Sequence, residues 1–188
     1  SSFAAAVQRL GGNIIQINNV TFSSVSKGEE LRDTIRTMES YADAIVLRHP
    51  EQGSASIAAH VCQKPIINAG DGIGEHPTQA LLDMFTIVEE LGGLDGLTVT
   101  MLGDLRYGRT IHSLAKLLAL YDVKLHFVAP DLLRAPSDLV ADLVENGMKP
   151  CKHVELASVM PDTDVLYVTR VQRERFEDQS AYEEVKES

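Results

Sequence analysis

The chain has 188 residues, 44% hydrophobic and 23% charged, with a formal net charge of -10. That is enough for a sizeable core in one domain or two small ones, in a soluble globular chain of ordinary composition. The negative charge argues against nucleic acid as a partner, no apolar run reaches the length of a membrane span, and two cysteines make neither a disulfide framework nor a zinc site.

Residues 2–10 read as an amphipathic helix and Asn13 to Ile17 as a strand. Asn18 to Ser26 is a polar loop. Lys27-Gly-Glu-Glu then opens a second helix with Leu31, Ile35 and Met38 on one face. Ala44 to Leu47 is a buried strand running into Arg48-His49-Pro50, followed by a short helix from Ser54 to His60 and a strand at Pro65-Ile-Ile67. The run Asn68-Ala-Gly-Asp-Gly-Ile-Gly-Glu-His-Pro-Thr-Gln-Ala-Leu-Leu-Asp83 comes next: a glycine loop, then a helix opening at Pro77. Its apolar stripe is expected from Leu81, Leu82, Phe85, Ile87 and Val88, ending at Gly92-Gly93. Beyond it, strand 97–102, helix 109–120, strand 123–128, helix 137–145, a weak strand 148–151, a short helix 154–160 and strand 165–168 alternate. The pattern predicts an α/β fold of two adjacent units, each with a mainly parallel sheet flanked by helices, divided as 1–91 and 92–188.

In open parallel sheets, ligands bind beyond the carboxyl ends of the strands. Arg48 and His49, His76, Arg106 and Arg109, and Arg170 and Gln172 all fall at such ends. An isolated arginine there is usually a surface charge. Three strands ending in arginine and one in a glycine loop with histidine imply a basic cleft for substrates rich in carboxylate and phosphate. A lone His-Pro would read as a helix cap; the glycine run with Thr78 and Gln79 turns His76 toward a ligand role at a helix N-terminus, where anions and oxyanions are favoured. The turn from Gly103 to Gly108 lacks both the dinucleotide fingerprint and the nucleotide-loop Gly-Lys-Ser/Thr.

The residue 68–83 motif resembles the central signature of aspartate carbamoyltransferases. So do Gly103-Asp-Leu-Arg-Tyr-Gly-Arg-Thr-Ile-His-Ser113 and Asp164-Val-Leu-Tyr-Val-Thr-Arg-Val-Gln172. The Arg170-x-Gln172 pattern separates it from ornithine enzymes, which share His-Pro-Thr-Gln. The resemblance implies transfer of a carbamoyl group from carbamoyl phosphate to the amine of L-aspartate, a step of pyrimidine biosynthesis, without a metal or organic cofactor. Residues 1–91 would bind carbamoyl phosphate and 92–188 aspartate. The implied carbamoyl-phosphate residues are Arg48, His76, Gln79, Ser23 and Lys27, the last two in a loop that reaches into a neighbouring subunit of a homotrimer. Read without the resemblance, that loop is a solvated turn before a helix. His76, Arg48 and Lys27 are the catalytic candidates, and Arg109, Arg170 and Gln172 would hold aspartate. The chain is expected to be a cytoplasmic fragment, akin to eukaryotic forms fused to other pathway domains, and to lack the family's phosphate loop and its late His-Pro-Leu-Pro-Arg segment. Two alternatives stay open: an inactive scaffold or regulatory domain, and a carbamoyltransferase for another amine.

Overall fold

The computed structural model describes residues 2–17, 28–72 and 74–171. Ser23, Lys27 and Gln172 lie outside the described residues. The chain divides into two compact units, residues 1–74 and 75–188.

In the first unit, α1 (Ser2–Arg9) and α2 (Leu31–Glu39) precede β1 (Ile45–His49), α3 (Ser54–Val61) and β2 (Ile66–Asp71). β1 and β2 pair in parallel, Ile45 opposite Ile66, with a register shift between Leu47 and His49 that sets His49 opposite Asp71. A small core of Ile35, Ala58 and Cys62 lies between α2 and α3, with Ile45, Leu47 and Ile66 packed against it. The strand expected at residues 13–17 does not form. A strand exists only through its ladder, and no described strand pairs with that segment.

The second unit holds α4 (Pro77–Leu91), β3 (Thr98–Leu102), α5 (Arg109–Leu118), β4 (Lys124–Val128), α6 (Ser137–Glu145), β5 (Cys151–His153) and β6 (Val165–Val168). Its four strands among the described residues are all parallel, in the order β5-β4-β3-β6. Position in the sheet explains the burial. Central β3 is covered along Val99, Thr100 and Met101, and β4 from Leu125 to Val128, whereas β6, the last strand of the described sheet, alternates between half-buried and exposed residues. Met101, Ile111, Leu114, Leu118 and Leu125 are essentially inaccessible to solvent and anchor one continuous core. Removing the side chain of a leucine in such a place typically costs 2–5 kcal/mol.

Three expectations about elements of this unit are corrected. The weak strand expected at 148–151 forms at Cys151–His153, since Pro150 has no N–H to give to a ladder. Of the expected α4 stripe Ile87 is buried, together with Ala80 and Met84, while Leu81, Leu82, Phe85 and Val88 are exposed. Positions 80, 84 and 87 share one face at 3.6 residues per turn, so the small Ala80 belongs to the core stripe and its larger neighbours do not. Residues 154–160 do not make one helix; 3-10 turns form at Leu156–Ser158 and Met160–Asp162. Pro161 lacks an N–H and disfavours α geometry in the residue before it, which leaves too little sequence for an α-helix.

Candidate active site

In the first unit the glycine loop is tied to the Arg48-His49-Pro50 turn. Gly72 donates its N–H to the His49 carbonyl at 2.8 Å, and Gly53 donates to Asp71 Oδ2 at 2.9 Å. A Cβ on Gly72 would collide with the Pro50 carbonyl oxygen, so only glycine permits this approach. Asp71, 7% exposed, is the residue that sequence reasoning passed over here: its carboxylate fastens the loop after β2 to the start of α3. Arg48 is exposed, one residue from the carboxyl end of β1. The imidazole of His49 is taken up locally, with Nδ1 2.7 Å from Ser54 Oγ and 3.1 Å from the Glu51 N–H nitrogen.

In the second unit the strand order brings β3 and β6 side by side. The chain runs from β3 outward through β4 to β5, then returns to place β6 on the other side of β3. The carboxyl ends of β3 and β6 therefore lie side by side, and in open parallel sheets such ends are where ligands bind. Leu102 pairs with Val168, and Gly103 passes so close to the Thr169 carbonyl that a Cβ would overlap it. Arg109, the first residue of α5, follows β3, and Arg170 follows β6. Arg106 is engaged otherwise: its guanidinium sits 5.3 Å from the Tyr107 ring centroid and Nη1 reaches the Leu132 carbonyl at 3.5 Å.

His76 occupies the N-cap position of α4, yet its side chain makes no capping hydrogen bond. Its carbonyl accepts the N–H groups of Gln79 at 3.1 Å and Ala80 at 3.3 Å. One turn later Gln79 donates Nε2 to Asp83 Oδ1 at 2.9 Å, and Asp83 Oδ2 accepts the Tyr167 hydroxyl at 3.0 Å. A carboxylate can only accept, so these bonds fix the Gln79 amide with its nitrogen toward Asp83. Tyr167 also bonds the Thr110 side chain; burial first, and then the Asp83 charge, push its phenol above the usual tyrosine range. Asp83 and Tyr167 thus join the helix bearing His76 and Gln79 to the strand before Arg170, and Thr110 adds the first turn of α5. None of the three had been assigned a role from sequence, although Asp83 closes the residue 68–83 motif and Tyr167 and Thr110 stand beside Arg170 and Arg109.

Of the sequence-derived candidates, His76, Gln79, Arg109 and Arg170 are all carried by the second unit and Arg48 by the first. No group of three or more His, Cys, Asp or Glu residues suited to a metal ion occurs among the described residues. Cys62 and Cys151 are both free. No helix among the described residues is long and apolar enough to cross a membrane.

Comparison with known proteins matches residues 1–89 to the family described as aspartate/ornithine carbamoyltransferase, carbamoyl-P binding domain, and residues 95–187 to its Asp/Orn binding domain. The aspartate carbamoyltransferase catalytic subunit of Thermococcus gammatolerans is 54% identical over 187 residues, which are 100% of this chain and 61% of that protein. Multifunctional protein CAD of Squalus acanthias is 56% identical over 183 residues, 97% of this chain and 8% of that protein. The catalytic subunit of M. jannaschii aspartate transcarbamoylase superposes with a TM-score of 0.89 at 50% identity, over 100% of this chain and 61% of that one. The aspartate transcarbamoylase of Trypanosoma cruzi, in complex with aspartate and phosphate, gives 0.83 at 48% identity, over 94% and 59%. The chain thus spans less than two thirds of the catalytic subunits it matches.

Proposed function

Because the chain belongs to the aspartate/ornithine carbamoyltransferase family, we propose that it carries out carbamoyl transfer from carbamoyl phosphate to L-aspartate, giving N-carbamoyl-L-aspartate and phosphate. The observation that carries this reading is the parallel pairing of β3 and β6, which puts Arg109 and Arg170 on the two segments that follow their adjacent carboxyl ends. Two guanidinium groups suit an acceptor with two carboxylates, since each pairs bidentately with one. The solved complex of the Trypanosoma cruzi relative with aspartate supports the same acceptor.

Carbamoyl phosphate is already activated, so the reaction needs neither metal nor organic cofactor. The aspartate amine attacks the carbonyl carbon and forms the C–N bond. The bond to the phosphate oxygen breaks, phosphate leaves with the electron pair, and it takes the amine proton. Negative charge develops on the carbonyl oxygen during attack. His76, at a helix N-terminus, and Arg48 stabilise it. A preorganised donor of this kind contributes about 2.7–4 kcal/mol. Gln79, with its nitrogen held by Asp83, presents its oxygen as acceptor for the carbamoyl NH2. Arg109, Arg170 and Gln172 fix the aspartate carboxylates, which turns a bimolecular attack into a positioned one.

In this reading residues 1–91 bind carbamoyl phosphate and 92–188 aspartate, in a cytoplasmic homotrimer in which Ser23 and Lys27 serve a neighbour's site. Head-to-tail cyclic interfaces bring different surfaces of successive subunits together, which permits such sharing. Mixing inactive Lys27→Ala and His76→Ala subunits should restore activity in hybrid trimers; hybrids verified by native mass that stay inactive would refute a shared site.

The deciding experiment incubates labelled carbamoyl phosphate with L-aspartate or with L-ornithine and resolves the products. Carbamoyl-aspartate formation, abolished by a bisubstrate phosphonate of aspartate, is expected. Product with ornithine alone would reassign the acceptor, and absence of both product and phosphonate binding would favour a scaffold role.

A further inference from the structure

His76 is presented by a short clamp that the reaction scheme does not use. Glu75, Ser113 and Lys116 all lie in the second unit, Glu75 just before α4 and the other two on α5. The Ser113 hydroxyl donates to Glu75 Oε2 and accepts the backbone N–H of His76 at 3.0 Å. Lys116 Nζ donates to Glu75 Oε1 at 2.7 Å. A serine hydroxyl has one proton. Committing it to the carboxylate turns a lone pair toward His76, so Glu75 decides which way Ser113 faces. Ser113 itself is 4% exposed, where a backbone N–H left without its acceptor would be costly.

We propose that Glu75, Ser113 and Lys116 are positioning residues that fix the His76 backbone to helix α5, and so set the carbonyl-polarising imidazole on the helix that begins with Arg109. This rests on the carbamoyl-transfer reading above. The charge states agree with the geometry. Burial raises the Glu75 carboxyl, but the bonds from Lys116 and Ser113 and the nearby charges of Lys116 and His112 more than offset it, leaving it below the usual glutamate value. The bond to Glu75 holds the Lys116 ammonium above its usual value against partial desolvation, helped by Asp138 and Asp142 on α6. The clamp is therefore charged across the neutral range. The Glu75–Lys116 ion pair is over 40% exposed on both sides and adds little stability of its own. Orientation is what it supplies.

The test uses steady-state kinetics on the active enzyme, together with amide hydrogen exchange at His76. Glu75→Ala and Ser113→Ala should each lower kcat about tenfold through misplacement of His76, leave the aspartate KM within about twofold, and speed exchange of the His76 amide. Ser113→Ala also removes a buried partner and will lower Tm, so a rescue supplies the discriminating readout. In the double variant Glu75→Gln with Lys116→Gln, the residue 75 amide can accept from Ser113 and donate to the residue 116 amide, which restores every bond without charge. It should recover kcat to within about threefold of wild type. Wild-type kcat in both alanine variants, or a double variant no better than Glu75→Ala, would overturn the positioning role while carbamoyl transfer by the wild type stands. A wild type without carbamoyl transfer would overturn the reading on which the role rests.

Discussion

Gly103→Ala probes the close approach of the β3 and β6 ends directly. Gly103 has φ +110, a backbone region that side chains rarely adopt, and its missing Cβ faces the Thr169 carbonyl, backbone that cannot rotate away. The φ strain costs about 1–3 kcal/mol, and the overlap adds about 1–3 kcal/mol of overpacking. Together they predict a loss of about 4 kcal/mol, or a Tm about 12 °C lower at roughly 2–4 °C per kcal/mol for a chain of this size. Gly96→Ala is the control. Gly96 has φ +84 but meets nothing within 4 Å, so only the conformational term of about 1–2 kcal/mol applies. The overlap also pushes β6 from β3 at the end where Arg170 leaves the sheet, so the aspartate KM should rise in Gly103→Ala and stay unchanged in Gly96→Ala. Differential scanning calorimetry and initial rates on the two variants decide the matter. Equal Tm losses would show that the Thr169 carbonyl yields at no cost and that the close approach of the two strand ends is not a constraint.

Arg109→Ala and Arg170→Ala should each raise the aspartate KM far more than the carbamoyl phosphate KM, with lysine rescuing poorly because it lacks the bidentate fork; equal effects on both substrates would remove these residues from the aspartate site. His76→Ala should lower kcat by about two to three decades at nearly constant Tm, since its side chain makes no capping bond; a large Tm loss at normal kcat would make it a structural residue. His126, 5% exposed with Nδ1 2.8 Å from His153 Nε2, is held below the usual histidine value by burial first, and then by the charges of His153 and Lys124. The unfolded chain takes up that proton first, so stability should be full above pH 6.5 and fall as the pH drops below it. His126→Gln should flatten this fall in Tm measured against pH, and an unchanged slope would show that His126 does not cause it.

The residues themselves determined where most elements lie. Pro77 to Leu91, Ser137 to Glu145 and Val165 to Val168 fall where local signals put them. A helix start marked by proline, an end marked by glycine and a short run of valine, leucine and tyrosine act over a few residues, and no tertiary contact is needed to read them. The strand-end arginines and the His-Pro-Thr-Gln motif were legible for the same reason. What covers a helix is not a local property. Leu81, Leu82, Phe85, Ile87 and Val88 promised the core face of α4; packing against α5 and the sheet kept only Ile87 of these and added Ala80 and Met84. Nor could residues 13–17 be decided locally, because a strand is defined by the neighbour it pairs with. Only the tertiary structure brings Asp83 to Tyr167, 84 residues on, or Glu75 to Ser113 and Lys116. Those bonds depend on the order in which four parallel strands lie side by side, and that order is set by how the helices bury their apolar faces over the whole sheet, a sum over contacts distant in sequence that no window of residues contains.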